Sequence, residues 1–315
     1  MVKLDYNEFK EFCMKNIEKA LGEGKYKAVS NPLRKTDEIV FDSIQIMDKS
    51  VSSGSVPSFR VEPFYSDYSN GKALGAVLSD IVRMIEGLLD GPLGYADPSI
   101  FNAFDNAKDC LIIRPINFTS NRKLLQEHVH KPFGDVAIVL YIMMQRDSKT
   151  MATAKVAKKI AADWCLSDDF LLQTALENTA RLFPPYVVPA EMTLWGNETI
   201  SRIPSQNRFF MNPILQFNLL PSATDTYYLA IDDGINGASA VFYPGTLERL
   251  ADLLDDDLNI TFPCVREALV HPVSKSSVNA LRCGAESMTS AIELLERLSA
   301  SVFHYSRSDK KLRML

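Results

Sequence analysis

The sequence predicts an α+β fold, a mixed and largely antiparallel set of sheet elements packed with amphipathic helices. Segments of helical period and segments of period-two alternation follow one another along 315 residues without a strict strand–helix–strand rhythm. Strand-like segments also lie close enough in sequence to pair as antiparallel hairpins. The longest apolar run, Val136 to Met144, is about half of what a membrane helix needs, so it reads as a buried strand.

The elements follow in order. Asp5 to Ala20 is a helix, with Phe9, Phe12, Cys13, Ile17 and Ala20 on one face and Gly22 and Gly24 to end it. Glu38 to Met47 alternates as a strand, with a slip at Asp42-Ser43. Ser50 to Pro57 is a Ser/Gly loop, and Val61 to Tyr68 carries the aromatics Phe64, Tyr65 and Tyr68. Ala73 to Leu89 has the clearest apolar stripe, from Leu74 through Val77, Ile81 and Ile85, and Gly91-Pro92 stops it. Cys110 to Ile116 is a strand, Ser120 to His128 a short helix, and Pro132 to Gln145 holds the apolar strand. Lys155 to Trp164 and Asp168 to Leu182 are helices, the second capped by Ser167 and ended by Pro184-Pro185.

Pro189 to Ala223 is irregular, with four prolines and the mixed segment Asn207-Arg-Phe-Phe210. Tyr227 to Gly245 reads as a strand, a tight turn at Asp232-Asp-Gly-Ile-Asn-Gly237, a second strand, and a helix entered through Pro244. Thr246 to Leu254 is then a helix, Leu258 to Pro263 a strand, and Glu267 to His271 a further strand. Ser287 to Leu298 reads as an amphipathic helix through Met288, Ile292, Leu295 and Leu298. Ser301 to Tyr305 is a last strand, and the basic tail from Ser306 is expected to be loose. The expected organisation is an N-terminal region 1–183, a Pro-rich segment 184–225, a C-terminal region 226–305 and a tail 306–315, unless the chain is one continuous domain.

The net charge of −5 argues against a general nucleic-acid binder, which needs excess Lys and Arg, and against binding an anionic membrane surface. The first ten residues are charged throughout, with no apolar centre of the kind an export signal has. Cys13, Cys110, Cys165, Cys264 and Cys283 are odd in number and scattered, which fits reduced thiols. The expectation is a cytoplasmic protein, and the N-x-T triplets at Asn117, Asn197 and Asn259 then carry no glycan.

Several segments together resemble an uncharacterised bacterial family of unknown function, seen mainly in Gram-positive gut anaerobes. They are Asn117-Phe-Thr-Ser-Asn-Arg-Lys-Leu-Leu125, Asp135-Val-Ala-Ile-Val-Leu-Tyr141, Trp164-Cys-Leu-Ser167, Ala175-Leu-Glu-Asn-Thr-Ala-Arg-Leu182, Asn236-Gly-Ala-Ser-Ala-Val-Phe-Tyr-Pro-Gly245 and Leu298-Ser-Ala-Ser-Val-Phe-His-Tyr305. The resemblance implies fold and localisation and brings no reaction with it. In the family the strand after the Tyr-Pro-Gly helix leads to a His-Glu pair. Here Phe262-Pro-Cys-Val-Arg-Glu267 keeps Glu267 but has Arg266 where the histidine would stand. If that histidine is catalytic in relatives, this chain lacks the activity.

Candidate chemistry stands beside plainer readings. His128 and His130, with Asp135 nearby, place two imidazoles on one side of a strand, as a metal site needs; a third ligand would have to come from His271, His304 or Cys110. The plain reading is a polar loop, and no cofactor or metal is expected. Asp232 to Gly237 has oxygen ligands but not the spacing of an EF-hand, and a hairpin turn explains each residue. Asp252 and Asp255-Asp-Asp257 oppose the dipole at a helix C-terminus, which marks either a cation, a basic partner or a solvated end. Cys264 or Cys110 with His271 or His304 makes a thiol–imidazole pair only if the fold brings them together. Arg202, Arg208, Phe209 and Phe210, with Arg307, Lys310, Lys311 and Arg313, offer a basic and aromatic surface for a partner, or a solvated loop. Phosphate-loop, dinucleotide, nucleophile-elbow and zincin motifs are missing.

The leading expectation is a binding or accessory protein with a protein partner or a second copy of itself. The alternative is a hydrolase or transferase assembled from His128, His130, Asp135, Glu267 and His271. Convergence of those five in one pocket favours the enzyme.

Overall fold

A computed structural model describes residues 3–22, 24–49, 58–90, 98–146, 151–195, 211, 219–231 and 235–315. The fold is α+β, with mostly antiparallel pairings. The chain divides into two compact units, residues 1–106 with 143–153, and residues 107–142 with 154–315.

The first unit opens with α1 (Tyr6–Gly22), whose Phe9, Cys13 and Ile17 are buried. Strands β1 (Tyr26–Ser30), β4 (Ser43–Asp48) and β5 (Ser58–Arg60) form an antiparallel sheet in the order β1-β4-β5, and β2 (Leu33–Arg34) pairs with β3 (Val40–Phe41). The expected slip is real: the strand breaks at Asp42, between β3 and β4. The aromatic segment at 61–68 is a helix, α2 (Glu62–Ser69), and α3 (Leu74–Asp90) follows with Val77, Ile81 and Ile85 buried. These faces share one apolar core with Phe9, Ile17, Ile44, Ile46 and Phe59. Phe9, Tyr65 and Tyr68 pack ring on ring within it. Ser50 to Pro57 and Gly91-Pro92 lie outside the described residues.

The second unit is reached through α4 (Phe104–Ala107). Strands β6 (Leu111–Asn117), β7 (His130–Phe133) and β8 (Val136–Arg146) make a sheet in the order β6-β8-β7, and β9 (Met151–Lys155) pairs with β8. The sharp β7–β8 turn uses Gly134 at φ +62. Between β6 and β7 lies α5 (Arg122–Glu127), and after β9 come α6 (Lys158–Asp163) and α7 (Asp168–Leu182). Ser167 caps α7 by accepting from the Phe170 N–H at 3.3 Å. α7 packs on β6, where the Thr179 hydroxyl accepts from the Ile113 N–H at 2.9 Å and Asn178 donates to the Leu111 carbonyl.

The larger sheet has the order β10-β11-β13-β12-β14-β15, antiparallel throughout. Its strands are β10 (Pro185–Pro189), β11 (Tyr227–Ile231), β12 (Leu258–Cys264), β13 (Glu267–Pro272), β14 (Val302–Ser306) and β15 (Lys311–Met314). Alternation sorts the side chains. Leu229, Ala268, Val270, Ile260, Phe262 and Phe303 face inward and are fully buried. A 3-10 helix (Gly237–Phe242) and α8 (Thr246–Leu254) cover that side, with Phe242 stacked on Phe262 at 5.8 Å. The opposite, outer side carries α9 (Val278–Ala291) over β12 and β14, and a 3-10 segment (Ala190–Trp195) over β10 and β11.

Three expectations change. The second strand after the tight turn is the 3-10 helix 237–242. Gly237 sits so close to the sheet that an added Cβ would lie 1.9 Å from the Arg266 carbonyl oxygen, and the small residues that follow let the coil lie flat on β11 and β13. The helix expected at Ser287 to Leu298 begins nine residues earlier and ends at Ala291. Residues past it pair with the β12–β13 turn instead: the Val265 N–H donates to Glu296, Leu298 to Pro263 and Ser299 to Phe262. Arg297 closes the helix end, donating to the carbonyls of Ile292 and Ser290. The tail is not loose. It forms β15, and Arg307 bonds Asp252 and Asp255 while Lys310 bonds Glu248. The acids at the α8 C-terminus thus meet a basic partner in their own chain. Among the described residues no helix is long and apolar enough to cross a membrane.

Candidate functional site

The five candidate acid and base residues all belong to the second unit, and each is bonded within its own surroundings. His128 and His130 flank buried Val129 and point away from the core. His128 Nδ1 donates to the Leu124 carbonyl at 2.7 Å and His130 Nδ1 to the His128 carbonyl at 2.9 Å. Among the described residues no three His, Cys, Asp or Glu side chains gather as a metal site needs.

Asp135 turns elsewhere. Both its oxygens accept from the Ser299 hydroxyl at 2.8 Å, and Oδ2 accepts from Ser301 at 2.9 Å. Nearby, Asn117 donates to the Leu298 carbonyl at 2.7 Å, and the Phe118 N–H donates to the Asp135 carbonyl. Three of the segments singled out in the sequence therefore meet in one joint between the two sheets. A fourth behaves alike: Arg114 Nε donates to buried Asn236 at 3.1 Å, beside Gly237. These segments form interior seams.

Glu267 and His271 share the outer side of β13, four residues apart. That separates them by roughly 13 Å at the rise of a strand. His271 is 6% exposed, and Nδ1 lies 3.2 Å from the Thr226 hydroxyl. That hydroxyl donates to the Thr224 carbonyl, so it accepts from Nδ1–H, and Nε2 is left as a buried acceptor without a partner. Burial pulls the imidazole down to about 4, so the ring is neutral at ordinary pH. His304 belongs to another network, near Asn259 and Asp257 at 3.5 Å each.

Around Glu267 the grouping is different. The Tyr228 hydroxyl donates to Glu267 Oε2 at 3.4 Å, and the Tyr186 ring lies 6.1 Å from the Tyr228 ring. Burial first, then the Glu267 carboxylate, pushes the Tyr228 phenol up. Cys264 stands opposite Glu267 in the register, and burial followed by a hydrogen bond to Glu267 pushes its thiol up to about 12. A thiol so disposed stays protonated and is a poor nucleophile. Its distance along the sheet from His271 also defeats the Cys264–His271 pair. Arg266, where the resemblance expects histidine, is exposed and makes a two-pronged bond to Glu296, with only a weaker long-range attraction to Glu267.

Glu267, Leu269, Tyr228 and Thr226 are half-exposed, between the covering segment 190–195 and α9. Sequence reading singled out Glu267 and His271 but missed Tyr228 and Tyr186. Their only signal was a tyrosine at an outward position of each of two neighbouring strands. Arg202, Arg208, Phe209, Phe210 and the turn residues Asp232 to Gly234 lie outside the described residues.

Fold and site thus define an α+β protein whose larger sheet leaves part of its outer face half-covered. Residues 6–307 match DUF5688, a family of unknown function, and the chain belongs to that family. No curated protein and no solved structure matches it.

Proposed function

We propose that this chain is a binding or accessory protein, and that the outer face around Tyr228 and Glu267 receives a cationic side chain of a partner protein. The observation that carries this is the half-exposed Glu267 carboxylate. It accepts from Tyr228 and from the Cys264 thiol, and among the described residues it makes no direct ion pair, Arg266 acting on it only at longer range. A carboxylate set against an aromatic ring suits an ammonium or guanidinium group, and a cation on the ring face gains about 0.5–2 kcal/mol. The free thiols of all five cysteines fit a cytoplasmic setting. The hydrolase or transferase alternative asks His128, His130, Asp135, Glu267 and His271 to act together, and their bonds hold them apart.

The test is a titration with a lysine-containing peptide, followed by NMR at Tyr228 and its neighbours. A saturable response that disappears in Glu267→Gln is expected. An equal response in Glu267→Gln sinks the assignment. In parallel, native mass spectrometry of protein drawn from its own cells should show a bound polypeptide on the wild type and none on Glu267→Gln.

A further inference from the structure

We propose that the C-terminal hairpin exchanges between two copies of this chain, so that β15 of each seals the β14 edge of the other. The inference is independent of the outer-face site.

The two strands of this hairpin are unlike. β14 belongs to the core: Val302 and Phe303 are fully buried and Tyr305 nearly so. β15 is four residues long with three of its side chains exposed, and Met314 and Leu315 remain 46% and 50% exposed. What holds the hairpin closed is its backbone ladder, the Met314 side chain lying against Gly134, the Arg307 N–H on Asp257, the Asp309 N–H on the Ser306 hydroxyl, and ion pairs at the surface: Arg307 with Asp252 and Asp255, Lys310 with Glu248, and Arg313 with Asp309. Exposed pairs contribute little and are screened by salt. A strand so attached can leave, but the edge it uncovers is a row of unpaired backbone groups that must find another strand.

The register says which strand fits. Phe303 pairs with Met314, His304 with Arg313, Tyr305 with Leu312 and Ser306 with Lys311. This antiparallel ladder is self-complementary, so two opened hairpins related by a two-fold axis can make the same pairs between copies. Opening also continues the ladder across the axis, with residue 307 opposite 310 and 308 opposite 309. Arg307 then faces Lys310 of the other copy, a like-charge contact that Glu248, Asp252 and Asp255 beside it offset. The closed turn holds Lys310 at φ 52, in the left-handed region that a side chain disfavours. The extended strand removes that strain, while the edge and the acidic docking residues are the same in both arrangements.

Two substitutions push in opposite directions. Lys310→Pro cannot adopt the closed turn, because proline fixes φ near −65°, and it should favour the dimer by about tenfold or more. Lys310→Gly takes the closed turn without strain and should shift the wild-type equilibrium toward monomer by several-fold. Sedimentation equilibrium over a wide concentration range reads both. The expected order of dimer content is Lys310→Pro, wild type, Lys310→Gly. A Lys310→Pro protein that stays monomeric at the highest concentration overturns the proposal. So does a Lys310→Gly protein as dimeric as the wild type.

Discussion

Lowering the pH should weaken the second unit through His271, by an amount that the burial of this ring sets. In the folded chain the imidazole sits at about 4, against about 6.5 in an unfolded chain. The sign follows from which state binds the proton. Above about pH 6.5 the ring is neutral in both states and the stability is full. As the pH falls below that value the unfolded chain takes up a proton that the folded chain refuses until about pH 4. Stability is lost across that window, and at ~1.4 kcal/mol per pH unit the whole loss is roughly 3 kcal/mol. Between about pH 7.5 and pH 5 the share due to His271 is about 2 kcal/mol. Trp164 and Trp195 both belong to the second unit, so urea unfolding followed by tryptophan fluorescence reports on it. The comparison is wild type against His271→Gln, which cannot titrate there. The other histidines and the carboxylates contribute equally to both proteins and cancel. The wild type should lose about 2 kcal/mol more than the variant between those two conditions. Parallel curves refute the reasoning, as does an NMR titration that finds His271 protonating near pH 6.5.

Gly237→Ala would set a methyl group 1.9 Å from the Arg266 carbonyl oxygen and 3.0 Å from the Ala230 Cα, with backbone on both sides and nothing that can swing aside. It should cost about 3 kcal/mol, the upper end for overpacking, and a change under about 0.5 kcal/mol in urea unfolding would show that the coil can lift. Asp135→Ala leaves the Ser299 hydroxyl, 1% exposed, without its acceptor, at about 2 kcal/mol. The same substitution should leave binding of the lysine-containing peptide unchanged, since Asp135 acts as a joint; lost affinity in a folded variant would contradict that. Ser167→Ala removes the α7 cap and should lower stability by about 1 kcal/mol in the same assay.

Much of the architecture was legible because burial writes a period into the sequence. The stripe of α3 and the alternation through Ile44 and Ile46 each needed one side of an element to face a core, and that demand shows locally. The slip at Asp42 was visible for the same reason. What escaped was decided at a distance. Met288, Ile292, Leu295 and Leu298 share a helical spacing, yet residues past Ala291 satisfy their backbone on the β12–β13 turn, which no local rule announces. The tail looked loose because its own residues bury little, and its order comes from acids some fifty residues earlier in the chain, on and just after α8. The candidate site was half legible: Glu267 and His271 were singled out by type, and their spacing of four in one strand puts them on the same side but too far apart to cooperate. Tyr228 and Tyr186 became partners through strand pairing, and tyrosines in strands are too common to flag.

The path of the backbone between the two units bears on how this protein should be taken apart. The first unit takes residues 143–153 from the middle of the second, so neither is a contiguous stretch of gene. A boundary drawn after residue 106 leaves one fragment short of part of its own body and burdens the other with a stretch that belongs elsewhere. Truncation mapping, the usual first tool for locating an interaction, would then report damaged packing as lost affinity. Single substitutions on the intact polypeptide keep those two outcomes separate.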